Sequence, residues 1–255
     1  TLSKETIDMQ IKHLTGFVQH NDQTMVVEDV RIDWLWNDSI MTFPVLYAQL
    51  PHSVLDISTL HYVMPQSDVR GYASMHIHQA VLSPQDIGAL VPAIGKLAHP
   101  ISVQGDLEGT IDSLDLTGFS VAYNNQSILK GHVLVQGLPQ IDSTTLYAEC
   151  EDLFLNARLI QDFLSDFYDH PVHIPQQVHR LGDMHYRGLL SGHVHSLLLK
   201  GAFRTALGTI TTDGRLQSDS TFSDLAFNGR LATRHFRIGR LLGNSELKTI
   251  TFDIL

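Results

Sequence analysis

The sequence has little of what several large protein classes need. Its single cysteine, Cys150, excludes an internal disulfide bond and a thiolate metal cluster. No apolar run approaches the roughly 20 residues that a membrane-spanning helix requires. The 17 Lys and Arg residues are scattered among 27 Asp and Glu residues, for a net charge of −10. Because nucleic-acid binding needs a basic stripe, we expect no nucleic-acid partner.

Catalytic signatures are also missing. The chain contains no GxSxG nucleophile motif and neither of the phosphate-binding patterns GxxxxGK[ST] and GxGxxG. The lone thiol of Cys150 lies between Glu149 and Glu151, and we expect these carboxylates to raise its pKa and reduce its reactivity. The sequence therefore predicts a protein that is not an enzyme and has no cofactor.

Histidine is abundant, with 15 residues, and two pairs have the spacing i and i+2. His76 with His78, and His193 with His195, would each present two rings on one face of a strand. Neither pair has a further ligand of the right type nearby in the sequence. We therefore interpret both pairs as solvent-facing strand positions and expect no bound metal.

Apolar residues alternate with polar ones along most of the chain, which is typical of half-buried strands. In residues 101–111 the apolar side chains all have odd numbers: Ile101, Val103, Leu107 and Ile111. The same phase recurs in the second half of the chain, and the candidate inward-facing residues there are Phe203, Leu225, Phe227 and Leu231. The pattern predicts a mainly β, antiparallel protein.

Two segments depart from this alternation and favour short amphipathic helices. In residues 83–94, Ser83 is a suitable N-cap and Pro84 a suitable first residue, although Pro92 should end or kink the helix. In residues 156–168, apolar residues at helical spacing form one face. Each helix precedes a strand–Gly–strand segment, with Gly105 and Gly109 matched by Gly188 and Gly192. We expect two repeated units, 1–155 and 156–255, that share one continuous sheet.

Periodicity alone leaves two arrangements open. A single curved sheet would line a trough with its apolar phase, and such a trough suits acyl chains. A second sheet packed on that face would instead give a closed sandwich without a ligand.

Four segments together resemble the AsmA-like superfamily, in particular TamB-type envelope proteins. They are a short Asp-Ile helix followed by strand–Gly–strand (82–116), a GLP phrase between strands (129–149), the phrase IPQQVHRLG (within 162–192), and GRLATRHFRIGRLL (within 227–253). The resemblance covers residues 80–255 well and the first 80 residues weakly.

The resemblance implies a β-taco, a half-pipe sheet with an apolar interior, in the periplasmic part of an inner-membrane-anchored protein. It implies phospholipid as the ligand, an outer-membrane assembly protein as a further partner, and a role in lipid transfer or outer-membrane protein assembly. It carries no catalytic motif. Because the chain begins without a signal peptide and ends inside an alternating run, we expect it to be a segment of a longer protein with its anchor elsewhere. The alternative is a structural or adhesive β-repeat with a closed core and no lipid.

Overall fold

The structure is a computed structural model that describes residues 6–20, 23–66, 70–88, 90–138, 144–168, 170–193, 195–219 and 224–255. More than half of the described residues lie in strands, and neighbouring strands in the sheet follow the order of the chain. The prediction of a mainly β fold, with a curved antiparallel sheet and a few short helices, is confirmed. The chain divides into two compact units, Thr1–Ser127 and Ile128–Leu255.

Unit 1 contains seven described strands and two single-turn helices. Its elements are β1 (Thr6–His20), β2 (Gln23–Asn37), β3 (Ile40–Gln49), β4 (Val54–Val63), β5 (Tyr72–Leu82), α1 (Pro84–Ile87), α2 (Pro92–Gly95), β6 (Ile101–Thr110) and β7 (Ser113–Tyr123). Each strand pairs antiparallel with the next one along the chain.

Unit 2 holds most of β8 and all later elements. They are β8 (Gln126–Gln136), β9 (Thr145–Leu155), α3 (Ala157–Tyr168), α4 (Gln176–Leu181), β10 (Met184–His193), β11 (Ser196–Thr205), β12 (Gly208–Ser218), β13 (Leu225–Phe236), α5 (Ile238–Leu242) and β14 (Ile250–Ile254). Its strands also pair antiparallel in chain order.

The compact units and the predicted sequence repeats are separate divisions of the chain, and the repeat boundary stays a prediction. The sequence predicts a division between residues 155 and 156, at the end of β9, whereas the compact units meet within β8. β9 pairs with both β8 and β10, so hydrogen-bonded strand pairing continues on both sides of β9.

The predicted helix over residues 83–94 is two separate turns, α1 and α2. The Ser83 side chain caps α1 by accepting a hydrogen bond from the Gln85 N–H at 3.4 Å. Val91, which precedes Pro92, adopts φ −125° and ψ 86°, because a residue before proline is kept out of the helical region. Proline therefore divides the predicted helix into two short pieces.

The predicted helix over residues 156–168 is present as α3, and Asn156 is its cap. Asn156 Oδ1 accepts from the backbone N–H groups of Arg158 (3.0 Å) and Leu159 (3.4 Å). Two further short helices, α4 and α5, were not predicted. They contact each other, and Arg180 Nη1 donates to the Leu241 carbonyl at 2.9 Å.

The β6–β7 and β10–β11 hairpins share a local arrangement, and the relation between the two predicted repeats stays a prediction. In the β6–β7 hairpin Leu107 lies opposite Leu116, and in the β10–β11 hairpin Leu190 lies opposite Leu199. Gly105 lies two residues before Leu107, and Gly188 lies two residues before Leu190. Both glycines have φ above +120°. Helical connections follow β5, β9 and β13, so among the described elements a helical segment recurs after every fourth strand.

Candidate functional site

The candidate site is the inner face, which we define in each unit as the sheet face that carries the alternating apolar side chains. In unit 1 its centre is formed by the buried residues Ile57, Ile77 and Ala80. Partly buried apolar side chains surround them: Leu46, Leu55, Leu60, Met75, Leu82, Val103 and Leu107. The opposite, outer face exposes the polar residues Gln104, Asp106 and Glu108.

Three of the four predicted residues in unit 1 lie on β6 at alternate positions. Leu107 is opposite Met75 on β5 and Leu116 on β7. Val103 and Leu107 pack against the central cluster. Ile101, at the start of the strand, is opposite Leu82 and Tyr123.

Ile111, the fourth predicted residue of unit 1, lies just beyond the end of β6. β6 ends at Thr110, which pairs with Ser113, so Ile111 lies in the two-residue turn between the strands. Its side chain is 82% exposed. The alternation continues through this residue in the sequence, but the hydrogen-bonded strand does not.

In unit 2 the inner face is centred on Tyr186 and Phe203. Tyr186 is completely buried, and its ring lies 4.6 Å from that of Phe203, centroid to centroid. Its hydroxyl donates to the Leu189 carbonyl at 2.5 Å. Burial raises the pKa of Tyr186 to about 12.

The remaining predicted residues of unit 2 lie on β13. Phe227 is opposite Leu216, Leu231 is opposite Thr212, and Leu225 begins the strand with 38% exposure. Of the eight predicted residues, four belong to unit 1 and four to unit 2. That all eight share one apolar surface stays a prediction.

The apolar inner face is incompletely covered within each unit. In unit 1 the apolar side chains around the buried centre, among them Val103 and Leu107, are only partly buried. In unit 2 Leu225 is 38% exposed.

Aromatic rings packed over glycines were missed by sequence reasoning. A Cβ atom on Gly201 would lie 2.9 Å from the Tyr186 hydroxyl oxygen, and one on Gly214 would lie 2.7 Å from Cζ of Phe227. Tyr186 lies two residues before Gly188, which pairs with Gly201 on the next strand. Phe227 likewise lies two residues before Gly229, which pairs with Gly214. The sequence signal for this packing is an aromatic residue two positions before a glycine, as in YRG (186–188) and FNG (227–229).

The histidine pairs have different environments. The rings of His76 and His78 lie 4.5 Å apart, and His76 Nδ1 is 2.5 Å from Asp106 Oδ1. His193 ends β10, whereas His195 lies in the following turn and contacts Ser218 Oγ at 3.1 Å. The second pair therefore does not share a strand face as predicted. Among the described residues no group of three or more His, Cys, Asp or Glu side chains could hold a metal ion.

Cys150 is buried on β9, 4% exposed, and its thiol pKa is raised to about 11. The direction of the shift is as predicted, but its cause is burial of the thiol in apolar surroundings. Glu149 and Glu151 are exposed because alternate strand residues point to opposite faces. The expected role of these carboxylates is therefore wrong.

Two cavities lie away from the predicted residues. One, of about 760 Å³, is in unit 1 between the β1–β2 hairpin and the α1–α2 segment. The other, of about 1390 Å³, is on the outer face of β10–β14. None of the eight predicted inner-face residues lines either cavity.

Among the described residues, none of the helices combines the length and the apolar character needed to cross a membrane. Comparison with known proteins yields no matching family, no matching curated protein and no matching solved structure.

Proposed function

We propose that this chain is a non-enzymatic segment of an AsmA-like, TamB-type envelope protein whose apolar inner face shelters phospholipid acyl chains. Such a segment would contribute to lipid transfer between the inner and outer membranes or to the assembly of outer-membrane proteins. It would belong to the periplasmic part of a protein anchored in the inner membrane. The sequence resemblance supplies this biological setting.

The observation that carries the proposal is that apolar side chains of the inner face, such as Val103 and Leu107 in unit 1, are only partly buried. Covering apolar surface contributes about 25 cal/mol per Å². An acyl chain lying on this face would gain that free energy without forming any directional contact.

Three polar side chains on the inner face of unit 2 already have hydrogen-bond partners, which favours a ligand without hydrogen-bonding groups. Thr233 Oγ1 donates to the Thr209 carbonyl at 2.6 Å, and Thr212 Oγ1 donates to the Gly201 carbonyl at 3.4 Å. The Tyr186 hydroxyl is committed to the Leu189 carbonyl. Methylene groups need no such partners, so an acyl chain fits the chemistry of this surface.

The test is site-specific photocrosslinking in cells with phosphate-radiolabelled lipid. A benzophenone amino acid replaces Leu107 on the inner face, and in the matched control it replaces Gln104, an exposed outer-face residue of the same strand. We expect a labelled lipid adduct at position 107 and none at position 104.

Two outcomes would contradict the proposal. Equal labelling at both positions would mean that lipid contacts the protein without regard to face. Crosslinks at position 107 that join only protein segments would favour the closed sandwich instead.

A further inference from the structure

The outer face of unit 2 carries a concavity of about 1390 Å³ whose shape follows from its side chains. Its floor is a row of small residues on adjacent strands, in which Ala202 pairs with Thr211 and Thr211 pairs with Ala232. Longer side chains stand around this row: Arg187, Lys200, Asp213, Arg230, Arg234 and Asp253. Small side chains between long ones leave a depression in the sheet surface.

The charge within the concavity is positive. Four basic side chains line it together with two carboxylates. One carboxylate is already engaged, because Arg230 Nε donates to Asp253 Oδ1 at 2.6 Å. This pairing lowers the pKa of Asp253 and raises that of Arg230.

Several cationic groups in the concavity remain available for a ligand. Within the described part of the chain, the side chains of Lys200 and Arg234 have no hydrogen-bond or ion-pair partner, and Lys200 lies opposite Asp213 on β12. The Nε of Arg187 donates to the Glu151 carbonyl at 2.9 Å, which holds the side chain in place and leaves its terminal N–H groups for other contacts.

We propose that this concavity, whose available basic side chains are Arg187, Lys200 and Arg234, binds a phosphate-bearing anion. Guanidinium groups recognise phosphate through paired N–H donors, and the floor adds the hydroxyls of Thr209 and Thr211. The net charge of −10 does not oppose this, because salt screens exposed charges beyond about 8 Å at physiological ionic strength. The site lies on the face opposite the inner face and is independent of acyl-chain binding.

Vesicle co-sedimentation and free-phosphate titration test the proposal and separate its two possible sources of phosphate. The wild-type chain is compared with the double variant Lys200→Glu/Arg234→Glu on phosphatidylglycerol-containing and pure phosphatidylcholine vesicles, and inorganic phosphate is titrated separately by NMR. The matched control is Arg215→Glu, an exposed residue of β12 outside the concavity.

We expect the double variant to lose at least about tenfold in affinity for the anionic vesicles, for inorganic phosphate, or for both, while Arg215→Glu stays near wild type. Binding to vesicles alone identifies a lipid headgroup, and binding to phosphate alone identifies a soluble anion. An unchanged double variant, or an equal loss in Arg215→Glu, would overturn the site. Both vesicle types carry acyl chains, so binding of acyl chains to the inner face would affect them equally. A failure of the anion site in this experiment is therefore distinguishable from a failure of the lipid crosslinking at position 107.

Discussion

The phenol of Tyr186 lies against Gly201 on the neighbouring strand, so close that a Cβ atom on Gly201 would stand 2.9 Å from the phenolic oxygen. The same Cβ would collide with the backbone carbonyl of Arg187. The absence of a side chain at residue 201 is thus what allows the buried tyrosine to lie flat on the sheet.

Gly201→Ala should therefore destabilise the protein by about 1–3 kcal/mol, because the added methyl group overpacks the site. Chemical denaturation followed by circular dichroism measures the change. The control is Gly16→Ala on β1, where a Cβ meets nothing within 4 Å, and it should stay within about 0.5 kcal/mol of wild type. Equal stability of the two variants would show that the Tyr186 contact is unimportant.

Leu107→Asp should abolish acyl-chain binding while leaving a strand-rich circular dichroism spectrum. A leucine contact contributes about 1.5–3 kcal/mol, so affinity for a fluorescent acyl probe should fall more than about tenfold. Ile111→Asp introduces the same charge in the exposed turn of the same hairpin and should bind like wild type. If Leu107→Asp instead unfolds the protein outright, the side chain belongs to a closed core and the sandwich alternative is favoured.

The buried thiol of Cys150 should make the protein less stable at alkaline pH. Burial raises its pKa from the ordinary 9.0 to about 11. Above pH 9 the unfolded chain releases this proton while the folded chain keeps it, so stability that is fully present below pH 9 is lost between pH 9 and 11.

The loss should reach about 1 kcal/mol at pH 10. The measurement compares the free energy of unfolding at pH 8 and pH 10 in wild type and in Cys150→Ala. Tyr186, whose pKa is raised first by burial and further by the charge of Cys150, remains in both proteins, so that the difference between their pH dependences reports the thiol together with its effect on Tyr186. Identical pH dependences would refute the assignment.

Asn156→Ala should cost about 1 kcal/mol, because it removes the acceptor for the first N–H groups of α3. Asn156→Ser keeps a capping oxygen but loses the 2.6 Å hydrogen bond from Asn156 Nδ2 to Asp183 Oδ1. Thermal denaturation should rank wild type above the serine variant and the serine variant above alanine. If serine and alanine were equally destabilising, the contact with Asp183 would be the important one.

Short helices show where sequence reasoning reaches its limit. The twelve residues of α3 have a capping residue and an apolar face, so the local pattern was sufficient to predict the helix. The six residues of α4 and five of α5 are too few to be stable by themselves. Their mutual contact, including the hydrogen bond from Arg180 to the Leu241 carbonyl, joins residues far apart in the chain.

The turn at Ile111 illustrates a second limit. Alternation correctly assigned Val103 and Leu107 to the face that packs on the central cluster of unit 1. It could not locate the end of the strand, because the turn residues Ile111 and Asp112 include no glycine or proline to mark it. The pairing of Thr110 with Ser113 ends the strand one residue earlier than the pattern does.

The sequence by itself determined the fold class and which side of each strand is apolar, because alternation is a local property of extended backbone. Only the tertiary structure decided which side chains meet across strands. The register brings the ring of Tyr186 onto Gly201 and gathers Arg187, Lys200 and Arg230 around one concavity, although these residues lie on three separate strands. Register depends on how separate strands pair, and the sequence of one strand does not specify which residue of its partner lies opposite.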